Sequence, residues 1–444
     1  MEALSETSRA FPQAKTADPE NRAISNLPGS VLSDIFLFVV ATAMTESDHH
    51  AIRAPYTLAS VSRVWRAVAL STTRLWCLID ALRPAEQLEL SIERSGNLPI
   101  DVSLDFRTRG HSVDNFTKAS LKKTLQPLRS SWNRVQNLRV DLVKHGFEVN
   151  RCAIDCFSDF IDGGFRTGCL QSVSATVHGY DNSMWPGIRD DSLQIFLPPS
   201  QNYTSIELIG VDLRLTRIYN AVPMIQLRKL SLHFYSLLDV SDNMLPLLKL
   251  TPNLAHLSLT GFKFCTFDTT PLSEHSQTLS KLETLELFGN SGMTELCLFL
   301  RTLDMPQLRE FTYYTPFDCE NQLAETFIDM ISRCSLESLE VQVPNLSSMF
   351  GVCTRSLDHF GSLEYLQLLG RKVPVGLFRE FSQLLCEGES CPELEYIRLP
   401  FSEHRAFERA VEQLEEHRPW LHVSTEEERI TEMVNECRLR WGQN

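Results

Sequence analysis

The chain has 444 residues, of which 43% are apolar and 22% charged, so its composition is that of a globular protein and excludes an intrinsically disordered one. Its formal charge is −14. The excess acid lies after residue 150, since residues 1–150 hold 18 Lys and Arg against 16 Asp and Glu, which leaves 24 against 40 for the remainder. Such a surface repels phosphate backbones, so we expect no nucleic-acid ligand.

The amino-terminal residues lack the basic and apolar pattern of a secretory signal. The longest apolar stretch, Val31–Met44, is interrupted by Asp34 and is too short to span a bilayer. We therefore expect an intracellular protein with no membrane partner. The 12 cysteines are expected to be reduced, and the glycosylation-like triplets at Asn115, Asn202 and Asn345 to carry no glycan.

Two amphipathic helices and an apolar stop are predicted near the amino terminus. The first helix has Pro28 near its first turn and an apolar face of Val31, Leu32, Ile35, Phe36 and Val39. The second has an apolar face of Leu58, Val61, Trp65, Val68 and Ala69. The stop is Leu75–Trp76. Two short helices cannot bury all of these side chains between them, so a partner protein is implied; the alternative is a helical hairpin packed on its own domain.

Together these segments resemble the F-box in the form common in fungal F-box proteins. The resemblance covers residues 24–80, with residues 40–55 interpreted as an insertion and Ser62 standing where the family often has Cys. F-box proteins dock onto a small adaptor subunit of cullin-based ubiquitin ligases. The resemblance therefore implies adaptor binding through Leu27, Pro28, Val31, Leu32, Ile35, Leu58, Val61, Trp65, Leu75 and Trp76.

From about residue 200 the chain repeats a Leu-x-x-Leu-x-Leu pattern. Its first positions are spaced by 27, 28, 26, 28, 27 and 31 residues, at Leu227, Leu254, Leu282, Leu308, Leu336, Leu363 and Leu394. This is the period of leucine-rich repeats, whose units bury their apolar faces by stacking. Helices such as Met244–Leu250 are predicted to return the chain. A proline then ends the helix two residues ahead of the next repeat at Pro252, Pro306 and Pro392.

Less regular units are predicted on both sides of these repeats. Three of them precede the array, at Val135/Leu138/Val140, Leu170/Val173/Ala175 and Tyr203/Ile206/Leu208. The stretch Ser91–Val102 resembles the bridge that follows the F-box in fungal relatives, and we expect it to form the first strand and to cap the array. Terminal helices over Glu403–Arg418 and Glu426–Arg440 are expected to cover the last apolar edge.

These patterns predict an α/β fold in which a short helical F-box precedes a leucine-rich-repeat solenoid. The short parallel strands would line its concave face and the helices its convex face. The predicted divisions are a disordered segment 1–23, the F-box 24–80, bridging and irregular repeats 81–200, regular repeats 201–402 and capping helices 403–444.

The concave face is the predicted site for a target protein. Side chains alternate along a strand, so the residues beside the two strand leucines should be exposed there, among them Ser231, Ser258, Thr260, Gln342, Gln367 and Leu369. Aromatic anchors with an acidic rim suit a target segment with basic and apolar residues. The candidates are Glu286, Phe288, Glu310, Tyr314, Glu340, Tyr365 and Tyr396. The alternative is that a loop or a terminal helix covers these aromatic residues.

No phosphate-binding, nucleophile or metalloprotease motif appears in the sequence. Cys152/Cys156 and Cys386/Cys391 each lack the second ligand pair of a zinc site, and His49–His50 is interpreted as part of a solvated loop. We therefore expect a non-catalytic protein without metal or cofactor. The resemblance implies the substrate-recognition subunit of a cullin-RING (SCF-type) ubiquitin ligase. Two alternatives remain: a leucine-rich-repeat scaffold with a vestigial F-box, and a catalytic solenoid.

Overall fold

The computed structural model divides the chain into two compact units. One comprises the described residues up to Asp80 together with Glu86–Ile100, and the other Ala81–Ala85 with the described residues from Asp101 onward. The residues that the structure describes are 27–46, 48–107, 118–143, 150–155, 169–178, 194–195, 202–213, 223–233, 240–262, 277–289, 293–315, 326–327, 329–370, 374–388, 390–400 and 405–425.

Short helices and short strands alternate along most of the chain. The helices are α1 Gly29–Glu46, α2 Asp48–Val61, α3 Arg63–Ser71, α4 Ala85–Arg94, α5 Lys118–Leu125, α6 Val240–Lys249, α7 Met293–Thr302, α8 Ser347–Ser356, α9 Val375–Glu387 and α10 Arg405–His417. Turns of 3-10 helix cover Thr73–Trp76, Gln126–Arg134 and Leu357–His359. In the part of the chain described, no helix combines the length and the hydropathy that crossing a bilayer requires.

The strands are two to nine residues long. They are β1 Leu78–Asp80, β2 Ile100–Asp105, β3 Val135–Val143, β4 Ser172–His178, β5 Gln194–Ile195, β6 Ser205–Ile209, β7 Asp212–Leu213, β8 Lys229–His233, β9 His256–Phe262, β10 Gln277–Thr278, β11 Thr284–Gly289, β12 Leu303–Asp304, β13 Glu310–Tyr314, β14 Ser338–Gln342, β15 Tyr365–Leu369, β16 Tyr396–Leu399 and β17 His422–Thr425.

The main sheet has 13 strands in chain order, while β5 with β7 and β10 with β12 form separate two-stranded sheets. From β3 to β17 each neighbouring pair in the main sheet is parallel. The repeated leucines lie in register, with Leu230 opposite Leu257 and Leu257 opposite Leu285. The irregular units join the same ladder, because Leu138 lies opposite Val173 and Val173 opposite Ile206. The fold is α/β, as predicted, and its stacked units are those of a solenoid-like repeat array.

One face of this sheet is buried beneath the helices that return the chain. The second and fourth positions of the main-sheet strands from β4 to β16 are buried, as at Leu285 and Leu287. Phe311 of β13 packs edge-on against Phe327, at 5.0 Å between ring centroids. The predicted core phase of the repeats is therefore confirmed.

A tight turn leads into most of the regular strands. Leu254 donates its backbone N–H to the Thr251 carbonyl, and the same bond three residues back is made by five of the other six repeat leucines: Leu227, Leu282, Leu308, Leu363 and Leu394. Pro252 therefore occupies the second position of a turn, where its fixed φ is favourable. The prolines predicted to end helices therefore also lie in the turns that lead into the next strands.

The first unit differs from the predicted pair of helices. Residues 40–55, interpreted as an insertion, continue α1 to Glu46 and open α2 at Asp48, so His50 lies on a helix and not in a loop. The predicted second helix is interrupted at Ser62, whose hydroxyl accepts the Trp65 backbone N–H at 3.1 Å and caps α3. Two shorter helices result, so the apolar face predicted from Leu58 to Ala69 is split between α2 and α3.

Two further expectations need correction. Of Ser91–Val102, the residues up to Arg94 are helical, and β1 precedes the strand at Ile100, so this stretch does not supply the first strand. Within residues 403–444 the sheet continues, because His422–Thr425 pairs with β16 after helix α10. The predicted segments 1–23 and 426–440 lie outside the described residues.

Candidate interaction surfaces

Trp76 organises the core of the first unit. Its side chain is only 2% exposed, and its indole Nε1 donates a hydrogen bond to the Ala69 carbonyl at 2.8 Å. Tyr56 meets the ring edge-on at 5.1 Å, and the Arg94 guanidinium lies over it at 4.4 Å. The Tyr56 hydroxyl in turn bonds the Ser91 hydroxyl at 2.7 Å. These contacts fix α4 on the unit formed by α1, α2 and α3.

Four residues predicted to bind an adaptor belong to this core instead. Leu32, Leu58, Leu75 and Trp76 are buried together. Their large apolar side chains are buried within the unit, so none of them lies on the surface of the unit where another protein could contact it. Leu27 and Trp65 are half-buried and pack against the same core, with the Trp65 ring 4.9 Å from that of Phe36. Pro28 is exposed.

A second apolar stripe lies on the exposed side of α1. The core stripe of this helix is Leu32, Phe36 and Val40. About a third of a turn away, at 100° per residue, the helix exposes a second set: Val31 at 40%, Ile35 at 39%, Phe38 at 72% and Val39 at 39%. We call these four residues the α1 stripe. A helix that is apolar on two sides needs burial on both, so the stripe is a candidate contact surface for another protein.

Three other exposed apolar residues lie on α2 and α3. They are Val61, Val64 and Leu70. Val61 was among the predicted adaptor-binding residues, whereas Phe38, Val39, Val64 and Leu70 were not. The helical period predicts Val39 on the apolar face of the first helix and leaves Phe38 outside that face.

In the second unit, the side of the sheet opposite the buried leucines carries the predicted target site. We call it the polar face; it consists of the first, third and fifth residues of the main-sheet strands from β4 to β16. Register lines these residues into columns across the sheet, so that Thr260, Phe288 and Tyr314 are neighbours in one column. Adjacent strands lie about 4.8 Å apart, which brings side chains of one column into contact.

Four of the predicted target-binding residues come together on β11 and β13. The rings of Phe288 and Tyr314 stack at 4.8 Å with an angle of 7° between their planes. Glu286 lies two residues before Phe288 on the same face, and Glu310 accepts a hydrogen bond from the Thr284 hydroxyl at 3.2 Å. The result is an aromatic stack beside two carboxylates.

The other three predicted residues, Glu340, Tyr365 and Tyr396, belong to a network of hydrogen bonds and ring stacking on β14–β16, which the Tyr314 hydroxyl joins to the first cluster. Tyr365 and Tyr396 stack at 5.0 Å with planes 2° apart. The Glu340 carboxylate accepts hydrogen bonds from the Tyr314 hydroxyl and the Gln367 amide. Gln367 also accepts bonds from the Tyr365 hydroxyl at 2.6 Å and from Arg398 at 3.3 Å. Glu340 is therefore a half-buried acceptor of hydrogen bonds within this network.

The environment of this network shifts two pKa values. Burial raises the pKa of the Glu340 carboxyl above its usual range, and the nearby Glu286 charge acts in the same direction, while the Tyr314 hydrogen bond and the Arg398 charge partly oppose the increase. Burial, followed by the charge of Glu340, raises the pKa of the Tyr365 hydroxyl. Both changes follow from enclosing an acidic group among neighbouring side chains.

A groove of about 720 Å³ runs along the polar face from β6 to the turn before β14. Its charged lining residues are Glu207, Lys229, Glu283, Glu286, Arg309, Glu310 and Glu337, with Phe288 among its walls. Five carboxylates therefore face two permanent cations, which leaves three negative charges in excess. One of the cations, Arg309, lies 3.5 Å from Glu337.

The polar face is less exposed than strand alternation predicted. Side chains expected to be open to solvent are buried at Ser231, Ser258, Thr260, Gln342, Gln367 and Leu369. Longer neighbours in the same column cover these residues, because the strands lie so close together. The aromatic candidates are half-buried in their stacks, an arrangement intermediate between the predicted exposure and complete covering.

Of the two cysteine pairs, only Cys386/Cys391 can be assessed, because Cys156 lies outside the described residues. Cys386 and Cys391 contact different backbone carbonyls, those of Gln413 and Leu357. No cluster of three or more His, Cys, Asp or Glu residues suited to a metal ion occurs among the residues that the structure describes.

Comparison with known proteins finds similarity only among solved structures. No family model matches the chain, and no curated protein matches it. Among solved structures, the chain is similar to the crystal structure of a protein from Bacteroides fragilis. The two are 13% identical over 61% of this chain and 70% of that one, with a TM-score of 0.31. A similarity this low carries no argument about function.

Proposed function

We propose that this protein is the substrate-recognition subunit of a cullin-RING (SCF-type) ubiquitin ligase. Its first unit docks as an F-box onto the adaptor subunit, and its leucine-rich repeats hold the target protein on the polar face. The protein itself breaks no bond in this role. It raises the effective concentration of target lysines near the conjugating enzyme.

The α1 stripe carries the proposal. It lies within the segment whose sequence resembles an F-box, and it exposes four large apolar residues on a helix whose other side is already packed. Phe38, 72% exposed, and Ile35 would be central anchors of the interface. Burial of such residues is what stabilises protein–protein contacts, and a few large side chains usually carry most of the binding energy.

The experiment measures adaptor binding by the full chain and by a double variant of the stripe. Ile35→Asp with Phe38→Asp places two charges where the interface needs apolar surface. We expect a loss of at least about 2 kcal/mol, or about 30-fold in Kd. Both residues are exposed, so the near-ultraviolet circular dichroism of the variant, which reports the packing of aromatic side chains, should match that of the wild type.

Leu90→Asp is the matched control. Leu90 is an exposed leucine of α4 in the same unit and lies outside the α1 stripe, so this variant should bind the adaptor within two-fold of the wild type. Equal losses in the control and the double variant would show that any added charge disrupts the unit. No adaptor binding by the wild type at micromolar concentration would leave the scaffold with a vestigial F-box as the better description.

A further inference from the structure

We propose that the groove on the polar face binds an extended segment of the target protein that carries arginine residues. This inference rests on the proposed function, because it specifies the class of target that the receptor holds. The site is the groove from β6 to the turn before β14, centred on Phe288, and it excludes the Tyr365–Tyr396 network.

Charge complementarity defines the sign of the charge that the bound segment should carry. The groove has five carboxylates against Lys229 and Arg309, and Arg309 is already held by Glu337. The Glu286 and Glu310 side chains lie on neighbouring strands beside the aromatic stack. A cationic segment is therefore attracted to the groove, whereas an acidic or phosphorylated segment is repelled.

The ring stack indicates arginine over lysine. Tyr314, on the β13 side, covers one face of Phe288. The neighbour of Phe288 on the β9 side is the small Thr260. A planar guanidinium can lie against that ring face while its N–H groups reach the Glu286 carboxylate two residues earlier on the same strand. An ammonium group supplies neither the planar stacking nor the forked donor geometry.

Thr260 provides an independent indication of a missing donor. Its side chain is 8% exposed, and its hydroxyl oxygen has no hydrogen-bond partner within the described part of the chain. Register places Thr260 next to Phe288 in the same column of the polar face. Buried polar atoms in native proteins are nearly always satisfied, so a ligand N–H arriving beside Phe288 would complete the site.

By contrast, the residues at β14–β16 bond to one another. Glu340, Gln367, Tyr365 and Arg398 form a continuous set of hydrogen bonds. A ligand would have to break these bonds to engage that network, so the binding energy available there is smaller than in the groove.

The probe is a fluorescein-labelled, acetylated and amidated peptide, Gly-Arg-Leu-Arg-Leu-Arg-Gly. Alternate residues of an extended peptide face the same way, and seven residues at about 3.4 Å each, about 24 Å in all, match the five strand spacings of about 4.8 Å between β6 and β14. Fluorescence anisotropy should show saturable binding to the full chain at low salt, weakened in 0.5 M NaCl. The same peptide with citrulline for arginine, which keeps the planar shape without the charge, should bind at least ten-fold more weakly, and the lysine peptide at least three-fold.

Two protein variants test the location. Glu286→Gln with Glu310→Gln should weaken binding of the arginine peptide at least ten-fold. The matched control is Glu364→Gln with Glu395→Gln, which removes two charges from exposed glutamates before β15 and β16 and should stay within two-fold. Thr260→Val should weaken binding of the arginine peptide about three-fold without lowering the thermal unfolding temperature, because the hydroxyl it removes has no hydrogen-bond partner among the residues that the structure describes.

Failure of the groove proposal can be distinguished from failure of the proposed ligase role. Equal binding of arginine and citrulline peptides, or equal losses in both glutamate pairs, would overturn the groove proposal and indicate either a neutral ligand or attraction by the net charge of −14 alone. Since no adaptor is present in this assay, its result is independent of whether the first unit binds one. Loss of adaptor binding with peptide binding intact would overturn only the ligase role.

Discussion

At the scale of single residues, Glu340 shows how the polar face combines charge with burial. Its carboxylate accepts bonds from Tyr314 and Gln367 through the same oxygen, Oε1, so an amide in its place could accept both. Because burial raises its pKa, the folded chain holds the Glu340 proton at pH values where the unfolded chain, with a pKa of about 4.3, has released it. The stabilisation from this group is complete below pH 4.3 and is lost as the pH rises through the folded pKa.

Glu340→Gln should therefore remove a pH-dependent cost of folding. We expect the variant to be at least as stable as the wild type at pH 7.5, with an advantage that shrinks as the pH is lowered towards 4.3. Urea unfolding at several pH values measures this difference. Glu364→Gln, at an exposed site, reports the effect of net charge alone. A Glu340→Gln variant that is less stable than the wild type at neutral pH would show that the ionised carboxylate is needed by the network.

The same residues show how far sequence reasoning reaches at this scale. Strand alternation placed Leu285 and Leu287 in the core and Glu286 on the other side, and the structure agrees. Strand alternation could not reveal that Ser258 or Gln342 would be covered. Covering depends on the register of the strands, which decides which long side chains lie beside these residues. Arg418 is a second example: it is 6% exposed and donates to the carbonyls of Leu385, Gly388, Ser390 and Cys391, although arginine is usually exposed.

At the scale of elements, the turns between strands tolerate little extra volume. Gly370 follows β15, and a Cβ atom built there would lie 2.3 Å from the Val343 carbonyl oxygen and 2.9 Å from Leu346 Cγ. The carbonyl is backbone that follows the neighbouring strand β14, so it cannot rotate away. Glycine at this position lets the two strand ends approach each other.

Gly370→Ala should lower the free energy of unfolding by about 1–3 kcal/mol, the usual cost of overpacking. Gly361→Ala is the matched control, because Gly361 is exposed in the turn before the same strand and an added Cβ meets nothing within 4 Å. Urea unfolding should separate the two variants clearly. Equal stabilities would show that the chain after β15 can shift to accept a methyl group.

The periodic elements were the predictable ones. A repeat that recurs seven times with a constant phase identifies strands better than any single propensity does. Two elements outside the regular repeats were not predicted: the start of α3 after Ser62 and the strand β17. Ser62 was treated as a substitution within a helix, but its hydroxyl caps a new one. The sequence Leu421–Val423 carries too few leucines to be recognised as another unit, although it supplies the strand β17.

At the scale of the whole molecule, the two candidate surfaces belong to different compact units. The α1 stripe lies in the unit that packs around Trp76, and the groove lies in the unit built on the repeats. The surfaces also differ in chemistry, since one is apolar and the other has an excess of carboxylates. Apolar burial and charge attraction respond differently to salt, because screening by ions weakens only the attraction between charges.

We therefore expect the two surfaces to act independently. Ile35→Asp with Phe38→Asp should abolish adaptor binding and leave the arginine peptide within two-fold of its wild-type Kd, and Glu286→Gln with Glu310→Gln should do the reverse. Raising NaCl from 50 to 500 mM should weaken only the peptide. A reconstituted ligase assay on a target carrying an arginine-containing segment should then lose ubiquitin transfer with either variant, because linking two partners requires both sites. Should either double variant weaken both ligands while circular dichroism remains unchanged, the two units would have to be coupled and the simple linker role would be wrong.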